Sequence, residues 1–242
     1  MIKILYILRG VLRGLVNNRY FNLFFDWFYP QYFSAIIEGT LNAFYDDDEV
    51  VHVCVKFLTE IVNNRNNRVR FDTWNINGLV VFKETAKYVI KLLQVWNSLE
   101  SKVLKPGGDL YKEKWKFVKE ISQLYHNVIN GNYINFAICE YYNDDVFTQL
   151  TSLTLKMVAS LDPVQLQAYA KVEVTVYGML WCFFSHHMEL MFMKFDMALL
   201  KSISEMLIRG LSATSFEVQS DSTNCINVFC EFVHEKLRRK PT

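Results

Sequence analysis

The 242-residue sequence is short of glycine and proline, with nine and four, together about 5% where an average protein carries roughly 12%. That scarcity argues against a turn-dense β-sandwich or barrel, which needs such residues at each chain reversal. An excess of charge of one sign is also missing: 26 Lys and Arg meet 25 Asp and Glu, for a net charge of +1. The whole chain therefore lacks the electrostatic footprint of a nucleic-acid binder, no direct nucleic-acid contact is expected, and partners must be recognised locally. The five cysteines are odd in number, form no CxxC and mostly lie in apolar runs, as small core residues do in a reducing compartment. No asparagine occupies an N-x-Ser/Thr sequon. Lys3, Arg9 and Arg13 interrupt the first sixteen residues, leaving only 4–8 as an unbroken apolar run, too short for a signal-peptide core. The longest apolar stretch, 174–184, falls short of the ~20 residues that cross a bilayer. The chain reads as soluble and intracellular, without membrane insertion.

Catalytic and cofactor motifs are absent as well. There is no GxSxG elbow, P-loop or GxGxxG, and Gly107-Gly108 alone carries no phosphate-binding signal. No catalytic residue and no cofactor is expected. Asp46 to Glu49 lacks the alternating oxygen ligands and central glycine of a calcium loop and reads as a helix start. The best metal candidate is His186, His187 and Glu189, but neighbouring helical positions point about 100° apart, so a polar cluster at a helix end is the expectation. Cys225 and Cys230, without a nearby histidine pair, read as core.

What the sequence does have is 51% hydrophobic against 21% charged residues, a balance that folds, and a 3.6-residue apolar repeat in nearly every segment. Leu79, Phe82, Ala86, Val89, Ile90, Leu93 and Trp96 make one stripe, with Lys83, Lys87, Lys91 and Gln94 opposite. Tyr111, Trp115, Val118, Tyr125 and Ile129 make another, with Lys112, Lys116, Lys119 and Gln123 opposite, stopped by Gly131. Pro30 suits the first turn of a helix over 30–44, Asp46 to Asp48 offer caps for 48–62, and Asp162-Pro163 opens a helix over 163–184. Further helices are expected over 144–160, 195–209 and 218–238.

These segments group into antiparallel pairs over 2–28, 30–62, 76–130, 144–184 and 195–238. Starts of the first helices are separated by about 46, 68 and 51 residues, too irregular for tetratricopeptide or ankyrin arrays but tolerable for HEAT-like repeats. The expected fold is all-α, a single α-solenoid over 1–242 built from irregular HEAT-like hairpins.

Two surface features invite a partner. Arg65, Arg68 and Arg70 crowd one asparagine-rich loop, and their planar donor forks suit an acidic or phosphate-bearing surface. Lys112, Lys116 and Lys119 form a basic stripe that could line the concave face of a solenoid. For each, an ordinary solvated surface is the competing reading.

Several strings carry a family likeness: Phe57-Leu-Thr-Glu-Ile-Val-Asn-Asn-Arg65, Arg68-Val-Arg-Phe-Asp72, Asn77-Gly-Leu-Val-Val-Phe-Lys-Glu-Thr-Ala86, Gly131-Asn-Tyr-Ile-Asn-Phe136 and Tyr142-Asn-Asp-Asp145. Ser202-Ile-Ser204, Gly210-Leu-Ser-Ala213 and Phe25-Asp-Trp-Phe-Tyr-Pro30 add to them. In order and spacing the chain resembles a C-terminal-side segment of exportins in the importin-β (karyopherin) superfamily. The resemblance implies a non-enzymatic α-solenoid segment of a nuclear export receptor that binds protein cargo together with Ran-GTP, meets nuclear-pore proteins and shuttles between nucleus and cytoplasm. It also implies that Ran binding needs repeats not present in this stretch. A HEAT-repeat adaptor without transport activity is the alternative.

Overall fold

The computed structural model describes residues 1–44, 47–71, 75–99 and 114–238. Among the described residues every regular element is helical and no strand occurs. In chain order the helices are α1 (Ile2–Gly14), α2 (Asn18–Phe28), α3 (Ser34–Ala43), α4 (Asp48–Ile61), α5 (Asn77–Leu99), α6 (Lys116–Asn130), α7 (Ala137–Tyr141), α8 (Val146–Ala159), α9 (Pro163–Gln167), α10 (Ala170–Lys194), α11 (Met197–Gly210) and α12 (Phe216–Arg238). They pack in two rows. One row runs α1, α4, α6, α10, α12, each helix against the next, and the other runs α3, α5, α8, α11. Nearest-neighbour stacking of this kind is what makes an α-solenoid quasi-one-dimensional, and the irregular lengths are those of HEAT-like hairpins.

The apolar stripes meet between the rows. Phe57, Leu58 and Ile61 of α4, Phe82, Val89 and Leu93 of α5, Tyr125 of α6, Leu150 of α8, Phe183 of α10 and Ile203 of α11 are all buried. Each large side chain contributes roughly 1.5–3 kcal/mol through its removal from water. Polar groups in this layer are used to join helices. Tyr125 Oη lies 2.8 Å from Thr151 Oγ1 across α6 and α8, and Tyr177 Oη donates to Met206 O at 2.9 Å across α10 and α11. Lys87, Lys91 and Gln94 stay exposed, as the stripe of α5 predicts.

Capping explains several helix starts. Asp47 accepts from Glu49 N and Val50 N, Asp162 from Val164 N, and Asp196 from Leu199 N, each satisfying an otherwise orphaned amide of a first turn. Asp46, the earlier cap candidate, and Gly107-Gly108 lie outside the described residues, as do Tyr111 and Lys112 of the stripe that Gly131 stops.

Two expectations about the helices need correction. Pro30 does not start a helix. The backbone stays helical from α2 into α3 through a π-helical turn, Tyr29–Phe33, with Pro30 at its second position. The wider turn removes the need for the hydrogen bond that a proline cannot donate. The helix expected over 163–184 is two helices, α9 and α10, separated at Tyr169 (φ −119°, ψ 69°), and α10 runs on to Lys194 with a kink at His187. The short α7, absent from the periodicity reading, is too brief to show a repeat.

Cys54, Cys139, Cys182 and Cys225 are buried, but Cys230, expected in the core with Cys225, is exposed, since five positions along α12 carry it about 140° around the helix from Cys225; all five are free thiols. Burial pushes the Cys54 thiol up to about 12 and that of Cys182 to about 11, so thiolate is scarce at neutral pH. At pH 8 an aromatic disulfide reagent should therefore modify Cys230 quickly and the other four only after denaturation. Cys230→Ser should remove the fast phase. A second fast thiol in that variant would show that a buried site opens readily.

Candidate protein-binding groove

Three helices of the first row enclose a groove of about 340 Å³ lined by Arg9 from α1, Lys56, Thr59 and Glu60 from α4, and Lys116, Lys119, Glu120 and Gln123 from α6. Helical spacing places them there: Lys116, Lys119, Glu120 and Gln123 fall at i, i+3, i+4 and i+7, one face of α6, and Lys56, Thr59 and Glu60 likewise share a face of α4.

The two carboxylates of the groove floor are buried and already neutralised from within. Glu120 Oε2 lies 2.7 Å from His52 Nδ1, and its Oε1 lies 3.2 Å from Lys56 Nζ. Glu60 is held by Arg13 Nε at 3.3 Å, Arg65 Nη2 at 3.2 Å and Arg68 Nη2 at 3.0 Å. Arg9 Nε is buried and meets no hydrogen-bond partner among the described residues. Burial first, and then the neighbouring Arg13, lower the pKa of Arg9. Cations thus outnumber carboxylates along the groove, and one of them is short of a partner.

The arginine loop is used differently from its reading as a surface. Arg68 is fully buried. Its guanidinium donates to Asn63 O (2.9 Å), Leu12 O (2.6 Å), Leu15 O (3.3 Å), Glu60 O and Glu60 Oε1 (3.0 Å), and it lies 5.7 Å from the centre of the Phe21 ring. These bonds tie together the carbonyl ends of α1 and α4, so Arg68 is a clamp between the two helices and no partner can reach it. Arg65, half-buried, donates to Arg13 O and pairs with Glu60. Arg70 is exposed, while its carbonyl accepts from Asn18 and Asn22. The asparagines serve the loop itself. Asn66 and Asn67 adopt positive φ, 55° and 54°, which asparagine tolerates well, and Asn64 bridges Val69 N and Gly131 O.

Of the basic stripe, Lys116 and Lys119 reach the groove, and Lys112 lies outside the described residues. His186, His187 and Glu189 border a second cleft of about 780 Å³ beside α7 and the start of α8. They are not a helix-end cluster, because α10 continues past them. His187 sits among the rings of Phe136, Phe147 and Phe183, where burial and then His186 push its pKa down to about 4. Glu189 pairs with Lys236 at 2.8 Å. Among the described residues no three His, Cys, Asp or Glu side chains are grouped to hold a metal.

Sequence reasoning missed Arg9, Lys56, Glu60 and Glu120. A signal existed in Glu120, which stands between the apolar residues Val118, Ile121 and Leu124, where a buried carboxylate requires a cationic partner.

No family model matches the chain, and no solved structure does. It is 27% identical over 208 residues to exportin-7 of Dictyostelium discoideum, an alignment covering 86% of this chain and 20% of that protein. Exportin-7-B of Xenopus laevis is 25% identical over 210 residues, covering 86% and 19%. Human Ran-binding protein 17 is 22% identical over 205 residues, covering 85% and 18%. The chain thus spans about a fifth of the length of these curated relatives. In sequence along most of its length, what this helical array is similar to is one segment of exportin-7 and the related Ran-binding proteins.

Proposed function

We propose that residues 1–242 work as a single solenoid segment of a nuclear export receptor, a non-enzymatic surface that binds protein cargo together with Ran-GTP during nucleocytoplasmic transport. The observation that carries this reading is the alignment with exportin-7 over 86% of the chain, and the two stacked rows of helices are consistent with it. In this reading Lys116 and Lys119, with Arg9 and Lys56, contact carboxylates on the surface of cargo or of Ran. Arg65 and Arg70 border that surface, and contact with nuclear-pore proteins and shuttling between nucleus and cytoplasm belong to the same proposal. The adaptor alternative keeps the groove and drops the dependence on Ran.

The test compares binding of the purified chain, supplied with the stretch of Dictyostelium exportin-7 that precedes its matched segment, to Ran-GTP, Ran-GDP and proteins captured from nuclear extract. Nucleotide-dependent capture is expected, weakened by salt through screening and weakened about tenfold by Lys116→Glu with Lys119→Glu, since exposed ion pairs contribute up to ~1 kcal/mol each. Capture that is indifferent to the nucleotide of Ran favours the adaptor. Capture that ignores both salt and the double substitution removes the groove from the proposal.

A further inference from the structure

The groove between α1, α4 and α6 holds positive charge that its own carboxylates do not answer. Glu60 is already met by three arginines and Glu120 by His52 and Lys56, so neither is left to pair with the other cations that face the space. Those cations are Arg9, Lys116 and Lys119. All three are half-buried. Arg9 Nε has no hydrogen-bond partner, and neither lysine forms an ion pair among the described residues. Drawing a cation out of water without a counter-ion is costly, and burial, then Arg13, already lower the pKa of Arg9. An anion seated in the groove relieves that cost. Its form follows from the space. At about 340 Å³ the groove has the volume of a small-molecule site and holds less than one turn of a helix about 10 Å across. Carboxylates bring one charge per side chain, whereas each phosphate group brings about −1.5 to −2 and three acceptor oxygens. A guanidinium fork grips such a group in the plane and lysines meet it as point charges. Two phosphates on a compact scaffold therefore answer three cations within this volume, where separate acidic side chains do not fit.

We propose that the groove is a binding site for a small organic polyphosphate, two or more phosphate groups on a compact scaffold, held by Arg9 from α1 and by Lys116 and Lys119 from α6. The site does not depend on the transport reading. Where the groove also meets a protein, the ligand and an acidic protein surface exclude each other at the two lysines, so the polyphosphate regulates capture. The test is isothermal titration of the intact 242-residue chain with inositol hexakisphosphate, set beside sedimentation with phosphatidylcholine vesicles that contain phosphatidylinositol bisphosphate. Saturable one-to-one binding is expected, weakened by salt and accompanied by a raised melting midpoint. Arg9→Gln, and Lys116→Gln with Lys119→Gln, should each weaken it at least tenfold while the circular-dichroism spectrum holds. Inorganic phosphate should bind at least tenfold more weakly than the polyphosphate. Glu120→Gln removes a negative charge and releases Lys56, so it should tighten binding by about threefold, a gain that a misfolded variant cannot give. Lys87→Gln with Lys91→Gln, on exposed positions of α5, should change nothing. Binding of the soluble probe alone supports a free polyphosphate as the ligand. Tighter binding of the vesicles, lost in the same groove variants, supports the same site with a lipid headgroup as the source. No saturable binding of either probe, binding indifferent to the groove substitutions, or equal weakening by the α5 pair each overturns the proposal. No protein partner enters this titration, so its failure is distinct from failure of the capture experiment above.

Discussion

Arg68→Ala is expected to destabilise the chain by about 3–5 kcal/mol, the range measured when one partner of a buried ion pair is removed, and to lower its melting midpoint by about 10 °C at this size. The guanidinium is fully buried and makes five hydrogen bonds. Four end on backbone carbonyls at Leu12, Leu15, Asn63 and Glu60, where α1 and α4 run out. Its removal takes a donor from each of those carbonyls and leaves a void that water fills poorly. Burial first, and then Arg65, lower the pKa of Arg68, and the facing Glu60 carboxylate keeps the cation favourable. Arg68→Lys should recover only part of the loss, since a single ammonium cannot reproduce the planar fork. Arg70→Ala, at an exposed position, should change stability by no more than about 0.5 kcal/mol. Thermal and urea unfolding followed by circular dichroism measure all three. An Arg68→Ala chain as stable as the parent would mean that the ends of α1 and α4 are held together by something else. The same geometry bears on binding assays: reversing Arg65, Arg68 and Arg70 together disrupts the fold, so such a variant reports on folding rather than on partner contacts.

The second large effect is expected at Gly210. A Cβ there would collide with Ser222 Oγ and come within 2.5 Å of Tyr177 Cε1, at the point where α10, α11 and α12 converge. Tyr177 cannot swing aside freely because its hydroxyl is bonded to Met206 O. Gly210→Val should therefore cost about 1–3 kcal/mol through overpacking. Its unfolding should also lose cooperativity first in the α10–α12 region, which native-state hydrogen exchange resolves. Gly10→Ala, with open space around it, should move stability the other way by about 0.5–1 kcal/mol. If both substitutions change the midpoint alike, close approach of α11 to α12 is not what the glycine at 210 serves.

The sequence by itself determined the helices and hence the fold class, because an amphipathic stripe such as Leu79 to Trp96, or a cap such as Asp162-Pro163, depends on neighbours within a turn or two. It also determined the class of relative, since strings like Phe57 to Arg65 and Asn77 to Ala86 keep their order. Tertiary structure alone decided which charges remain exposed. Arg68 and Arg70 stand two positions apart, yet one is buried and the other exposed. What separates them is a set of carbonyls more than fifty positions upstream that Arg68 alone reaches. The groove is likewise a juxtaposition of α1, α4 and α6: the lysines on α6 were legible as a stripe, but Arg9 and Lys56 join them only because the rows stack. The continuity of α2 with α3 through Pro30 was also beyond local reading, since proline fits a first turn and a π-helical turn equally well, and the packing of Phe28 and Phe33 against the core selects the second.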